Sequence, residues 1–152
     1  MADTAELVGK LGEAVGVELE LDENGMAAFE ADGLVTTIAD VPEIDAVALT
    51  GDIGEPPPER LEPLYKALLE AQHLFAGTGG ATISIDPESG RFALNRTLPL
   101  KILDAENFVR HVETFVNTLE TFAKLVGNFR AATAAAPEED GRGDVIFPGV
   151  LV

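Results

Sequence analysis

The sequence predicts an α/β fold of the α+β type. Its expected elements are a helix, an antiparallel meander of three to four strands, a second helix, a β-hairpin and a long C-terminal helix. Three observations carry this reading. Apolar residues recur every three or four positions at Leu7–Val15 and Leu61–Leu69, but alternate one by one in between, as in Val17, Leu19 and Leu21. The dipeptides Asn24-Gly25 and Asp32-Gly33 interrupt the alternating part, and both tolerate the positive φ of a tight hairpin turn. From Phe108 to Phe129, large apolar residues return at spacings of four and three, which describes one extended amphipathic helix.

In chain order, Thr4 is the expected cap of a first helix carrying Leu7, Val8, Leu11 and Val15 on one face. Gly9 and Gly12 lie inside it, each costing about 1 kcal/mol relative to Ala, so the helix depends on packing. Gly16 suits the left-handed residue that ends it. Val17, Leu19 and Leu21 alternate with Glu18, Glu20 and Asp22, predicting a strand with one wet face. Asn24-Gly25 then turns the chain, and Asp32-Gly33 leads into a strand through Val35 and Ile38. A further strand is expected over Ala46–Thr50.

Gly54 and Pro56-Pro57-Pro58 stop the sheet, and a second helix begins between Glu59 and Pro63. Its stripe is Leu61, Leu64, Tyr65, Leu68 and Leu69; it is expected to end near Phe75, with Gly77 at the left-handed position. Gly77-Thr78-Gly79-Gly80 resembles a phosphate loop only in composition. A phosphate loop runs strand, glycines, helix, so that helix amides face the anion; here a helix precedes the glycines and a strand follows. The cluster therefore reads as a helix stop and hairpin entry. The hairpin pairs "ATISID" with "RFALNRTL" across "PESG". Leu103 and Phe108 form a hydrophobic staple around Asp104, which starts the last helix. Reaching Ala136, that helix would run roughly 45 Å, so it either overhangs the domain or breaks near Gly127-Asn128.

The expected organisation is one domain over residues 1–136 and a tail over 137–152, polar to Gly143 and apolar from Val145 to Val152. That apolar end is either a docking segment for an edge strand or groove, in its own subunit or a mate's, or a disordered end.

Charge narrows function. Asp and Glu total 27 against 10 Lys and Arg, a formal net charge of −17. Nucleic-acid binding rests on cations that neutralise phosphates, and anionic membranes attract basic surfaces, so neither partner is expected. No stretch is long and apolar enough to insert in a membrane, and the N-terminus lacks a secretory signal pattern, which places the protein in the cytoplasm. The chain has no cysteine, so thiolate catalysis and Cys-ligated zinc are excluded. His73 and His111 lack a metal-ligating partner at helical spacing. Ser84 and Ser89 lie outside any nucleophile motif. "DENG" and "DPESG" lack the closing Glu of a calcium loop, and "RGD" at Arg142–Asp144 is a three-residue match in a polar stretch. No enzyme activity, metal or cofactor is expected.

The ordered succession of "LVGKLGEAVGVELELDENGMAAFEADG", "LTGDIGEPPPERLEPLYKALLEAQHLFAGTGGATISIDPESGRFAL" and "LPLKILDAENFVRHVETFVNTLETF" resembles the type III secretion chaperones of the Tir-chaperone (CesT-like) family, from about Leu7 to Phe129. The resemblance implies a bacterial, cytoplasmic homodimer that binds the N-terminal segment of a secreted effector protein without ATP, keeping it soluble and export-competent. It implies effector contacts on the first helix and first sheet, with Leu7, Leu11, Val15, Phe29, Val35 and Ile38 as candidates. For the dimer interface it implies the second helix and following hairpin, with Leu64, Tyr65, Leu68, Gln72 and Ile83. The alternative is a dimeric adaptor or regulator of the same fold acting outside secretion.

Overall fold

The structure, a computed structural model, describes residues 2–135. The expected 137–152 tail, including Val145–Val152, lies outside them. The chain runs α1 (Thr4–Val15), β1 (Met26–Ala31), β2 (Leu34–Val41), β3 (Ala46–Gly54), α2 (Leu61–Gln72), β4 (Thr82–Ile85), β5 (Phe92–Pro99) and α3 (Ala105–Ala135), with three short 3-10 turns between. The strands form one sheet in the order β1-β2-β3-β5-β4, and β1–β2 and β2–β3 pair antiparallel. This is the α+β arrangement the sequence predicts.

Two compact units share these elements. The first holds the chain through Gly51 and again over Asn95–Asn117; the second holds Asp52–Leu94 and continues from Thr118.

In the first unit, α1 is capped by Asp3, not by the expected Thr4: the Asp3 carboxylate accepts from the Glu6 amide at 2.7 Å. Thr4 is instead buried one step inside, its hydroxyl donating to Asp40 on β2. A carboxylate at the N-terminus also meets the positive end of the helix dipole, which a threonine would not. Leu7, Val8 and Leu11 are buried, each worth roughly 1.5–3 kcal/mol of transfer free energy. Gly16 ends the helix at φ 79°. A Cβ on Gly12 would stand 2.6 Å from the Val17 carbonyl, so this glycine lets the chain fold back over the helix end.

That return is why the expected strand at Val17–Asp22 does not form. Val17 donates its amide to Gly12, and Asp22 spends its side chain on the amides of Asn24 and Met26. Only one ladder rung remains, from the Asp22 amide to the Met26 carbonyl. Local side-chain bonds of this kind compete directly with a sheet ladder. The meander therefore has three strands. Its β1–β2 turn is the expected one, with Asp32 at φ 52° and Gly33 at φ 81°.

The first unit's core gathers Ile38, Val47 and Leu49 from the sheet with Phe108, Val112 and Phe115 from α3. The start of α3 is fixed by reciprocal bonds: the Asn107 amide donates to the Asp104 carboxylate, and the Asp104 amide to the Asn107 side chain. Leu103 and Phe108 are both buried beside this cap, as the staple requires.

In the second unit, α2 ends at Gln72, earlier than expected, and passes into a 3-10 turn over His73–Phe75. The left-handed residues are Leu74 at φ 53° and Phe75 at φ 60°, not Gly77. The Gly77 amide returns to the Ala71 carbonyl at 2.8 Å, closing the turn. Gly79 and Gly80, at φ 60° and 94°, open the β4–β5 hairpin, so the glycine cluster acts as punctuation. Gly127-Asn128 does not break α3, which continues to Ala135; Phe122, Leu125, Val126 and Phe129 keep one face of it buried.

Candidate functional site

Two surfaces offer binding chemistry, one in each unit. The first is the outer edge of β1. Register fixes which way its backbone points. The Asp40 amide of β2 donates to the Gly25 carbonyl, and Ala27 pairs Ile38, so residues 25, 27, 29 and 31 face β2. Residues 26, 28 and 30 must then point their amides and carbonyls away from it. At Met26 both outward groups are taken, because Asp22 supplies an amide to the carbonyl and a carboxylate to the amide. Ala28 and Glu30 have no outward partner among the described residues. β1 stands at one end of the strand order. Such an edge is a template for another strand.

The side chains around this edge divide by face. Phe29 lies half-buried on the inner face, across from Thr36. On the outer face, Met26, Ala28 and Val35 are exposed, and Glu30 stands opposite Val35. A broader electrostatic signal lies in the sequence: between Lys10 and Arg60 there are thirteen acidic residues and no Lys or Arg.

The second surface is an apolar groove of about 310 Å³ between α2 and the β4–β5 hairpin, lined by Tyr65, Leu68, Leu69, Ile83, Ser84, Ile85 and Phe92. Tyr65 packs edge-on against Phe92, with ring centroids 6.1 Å apart. Gln72 accepts the Ile83 amide and ties the helix end to the hairpin. Leu69 is 67% exposed, and beyond the helix end Leu74 is 84% exposed. Leu74 and Phe75 are held outward on consecutive left-handed backbone positions, each costing a non-glycine residue roughly 1–2 kcal/mol. Apolar side chains held in water on a strained turn are an exposed patch that a partner would cover.

Two carboxylates beside the hairpin, Asp52 and Glu55, are ion-paired, unlike those near β1. Arg91 holds Asp52 at 2.8 Å and Glu55 at 3.0 Å, and Arg130 reaches Glu55 at 3.4 Å. The Asp52 hydrogen bonds lead the effects that hold the Arg91 pKa above its ordinary value. At the hairpin tip, the Glu88 amide and the Ser89 hydroxyl hold the Asp86 carboxyl below its usual range.

The sequence-derived candidates separate by burial. Leu7, Leu11 and Ile38 are in the first unit's core, Phe29 is half-buried, and Val15 and Val35 are exposed. Of the other set, Leu64 is fully buried, Tyr65, Leu68 and Ile83 line the groove, and Gln72 braces it. Leu74 and Phe75 were missed because left-handed, exposed apolar residues have no local sequence signature. His111 is half-buried on α3; burial first, then the Arg96 and Arg110 charges, pushes its pKa down. No cluster of His, Asp or Glu among the described residues could hold a metal ion, and no helix among them is long and apolar enough to cross a membrane.

Comparison with known proteins places this geometry. The family model for the Tir chaperone protein (CesT) family matches residues 6–123. A search of curated proteins finds no match. Among solved structures, the chain is similar to the ExsC–ExsE complex at 19% identity and a TM-score of 0.68, covering 82% of this chain and 97% of that one. It is similar to the HopA1–SchA chaperone–effector complex at 15% identity and a TM-score of 0.65, covering 78% and 91%. A third is the Yersinia pestis type III secretion chaperone SycH with a fragment of YscM2, at 17% identity and a TM-score of 0.62, covering 78% and 98%.

Proposed function

Because the chain belongs to the Tir chaperone (CesT) family, we propose that it is a cytoplasmic chaperone for a type III secreted effector. It binds the effector's N-terminal region in extended form and keeps it soluble and export-competent without ATP. The observation that carries this reading is the open β1 edge. The unpartnered groups of Ala28 and Glu30 offer main-chain hydrogen bonds to an incoming strand, and neighbouring apolar positions offer side-chain contacts. Phe29, Val35 and Val15 are the accessible members of the effector-binding set. Leu7, Leu11 and Ile38 support them from beneath. Solved neighbours described as chaperone complexes with bound proteins favour the same role.

The working form is a homodimer. The α2–β4 groove is an apolar surface that an identical copy would bury in an isologous contact, with Tyr65, Leu68 and Ile83 at its centre and Leu64 and Gln72 holding it in shape.

The test is affinity capture of the full chain from its own bacterium under secretion-inducing conditions, with mass spectrometry of the bound fraction. Recovery of one secreted protein, bound through its first segment, is expected. A bound fraction without any secreted protein, while the secretion genes are expressed, overturns the reading.

A further inference from the structure

The β1 edge carries charge information as well as open hydrogen bonds. Glu30 stands on the edge strand itself, Asp32 in the following turn, Glu18 and Glu20 in the segment leading to Asp22, and Glu23 directly after it. All five are exposed, and none has an ion-pair partner among the described residues. Lysine and arginine are absent from the chain for the whole length that builds this edge. A surface that gathers carboxylates without counter-charges repels itself, and the repulsion is relieved by a cationic partner.

Strand geometry turns this field into a position-by-position requirement. A residue paired with Glu30 would present its side chain on the same face as the Glu30 carboxylate, and opposite charges in directly facing pairs are favoured. The next residue would face inward beside half-buried Phe29, where an apolar side chain fits. The residue after that would pair with Ala28, which leaves room on the outer face. Pairing cannot extend to Met26, because Asp22 already holds both of its outward groups.

We propose that the β1 edge selects a short, cationic amphipathic strand. It carries Lys or Arg opposite Glu30 and an apolar residue opposite Phe29, and Asp22 is the stop that fixes its register. The inference rests on the reading of the chain as a chaperone of extended segments, and adds the chemistry by which one segment is chosen.

The probes are three short labelled peptides alternating Val with Lys, Ser or Glu, titrated against the full chain by fluorescence anisotropy. The Lys peptide is expected to bind at least about tenfold tighter than the Ser peptide at low salt, with the advantage shrinking as salt screens it. Glu30→Lys should remove that advantage and favour the Glu peptide. Glu43→Lys makes the same change in net charge on the exposed turn after β2, away from the edge, and should have a much smaller effect. Ala28→Pro deletes an outward amide, a change that edge strands tolerate, and should weaken every peptide. Slowed hydrogen exchange at the Ala28 and Glu30 amides on adding the Lys peptide reads the same edge without a substitution. Equal effects of Glu30→Lys and Glu43→Lys would overturn the proposal in favour of diffuse attraction. Lys and Glu peptides binding alike, yet both weakened by Ala28→Pro, would remove the charge selection and leave strand addition standing. Peptide binding untouched by Ala28→Pro, with no slowed exchange at the edge, would remove both.

Discussion

Along the β1 edge, the carboxylates from Glu18 to Asp32 stand without a cation among the described residues, whereas several carboxylates of the second unit are held in pairs. Arg91 and Arg130 share Asp52 and Glu55, Lys66 reaches Glu70, and Lys124 reaches Glu120. The groove itself is apolar and braced, while the edge is backbone left open. One chain therefore carries two kinds of stickiness. The edge uses directional hydrogen bonds and charge, which salt weakens. The groove uses apolar area, which salt does not screen.

Five substitutions press on that contrast. The largest effects fall on α3, which serves both units: Phe115→Ala in the first and Phe122→Ala in the second should each cost about 3–5 kcal/mol by opening a cavity. Thermal unfolding followed by calorimetry would show whether the units melt together. One transition shifted equally by both variants means a single cooperative body; two transitions, each moved by one variant, mean separable units. Next is Leu69→Asp, which places a charge in the groove on a residue already exposed, so the fold should persist. It should weaken self-association by about a hundredfold or more, roughly 2.7 kcal/mol, in analytical ultracentrifugation. Peptide binding at the β1 edge should be unchanged; a joint loss would show that the surfaces are not independent.

Gly12→Ala tests the platform beneath the edge. Its Cβ would press on the Val17 carbonyl, forcing the segment before β1 to move at a cost of about 1–3 kcal/mol in urea unfolding. Binding at the edge should weaken too, because that segment delivers Asp22 to Met26. The smallest effect concerns the first unit's cationic corner. His111 takes its proton less readily folded than unfolded, so protonation favours the unfolded chain. Stability should fall as pH drops through the unfolded value near 6.5, and His111→Gln should flatten that part of the profile. An unaltered slope in the variant would assign the pH dependence to the carboxylates.

Much of this architecture was legible because periodicity and turn chemistry act locally. The stripe from Phe108 to Phe129 needed no tertiary information, and Asp32-Gly33 allowed few conformations other than the hairpin turn it makes. The failures share a cause. Val17–Leu21 alternates as a strand should, but alternation cannot reveal that Asp22 will bond to its own neighbours and that Gly12 will draw the chain back. Thr4 lost the cap to Asp3 because both suit the position and only the fold gives Thr4 its partner in Asp40. Burial was the weakest part of the site reading. Leu7 and Leu11 share a helix stripe with Val15, yet two are covered and one is open, since the stripe does not record which of its positions the rest of the fold will cover.

The stretch from Leu11 to Arg60, with no basic side chain before its last residue, also decides how this protein can be studied. Trypsin finds no site between Lys10 and Arg60, so even the unfolded meander leaves as one long fragment, and a limited digest reports on the rest of the chain. Amine-directed labels and cross-linkers have no lysine to attack there. A complex mapped by lysine chemistry alone would show an unmarked β1 edge whether or not a partner lay across it. Carbodiimide coupling, which joins carboxylates to a bound segment's lysines, would mark that same edge where a cationic strand lay across it.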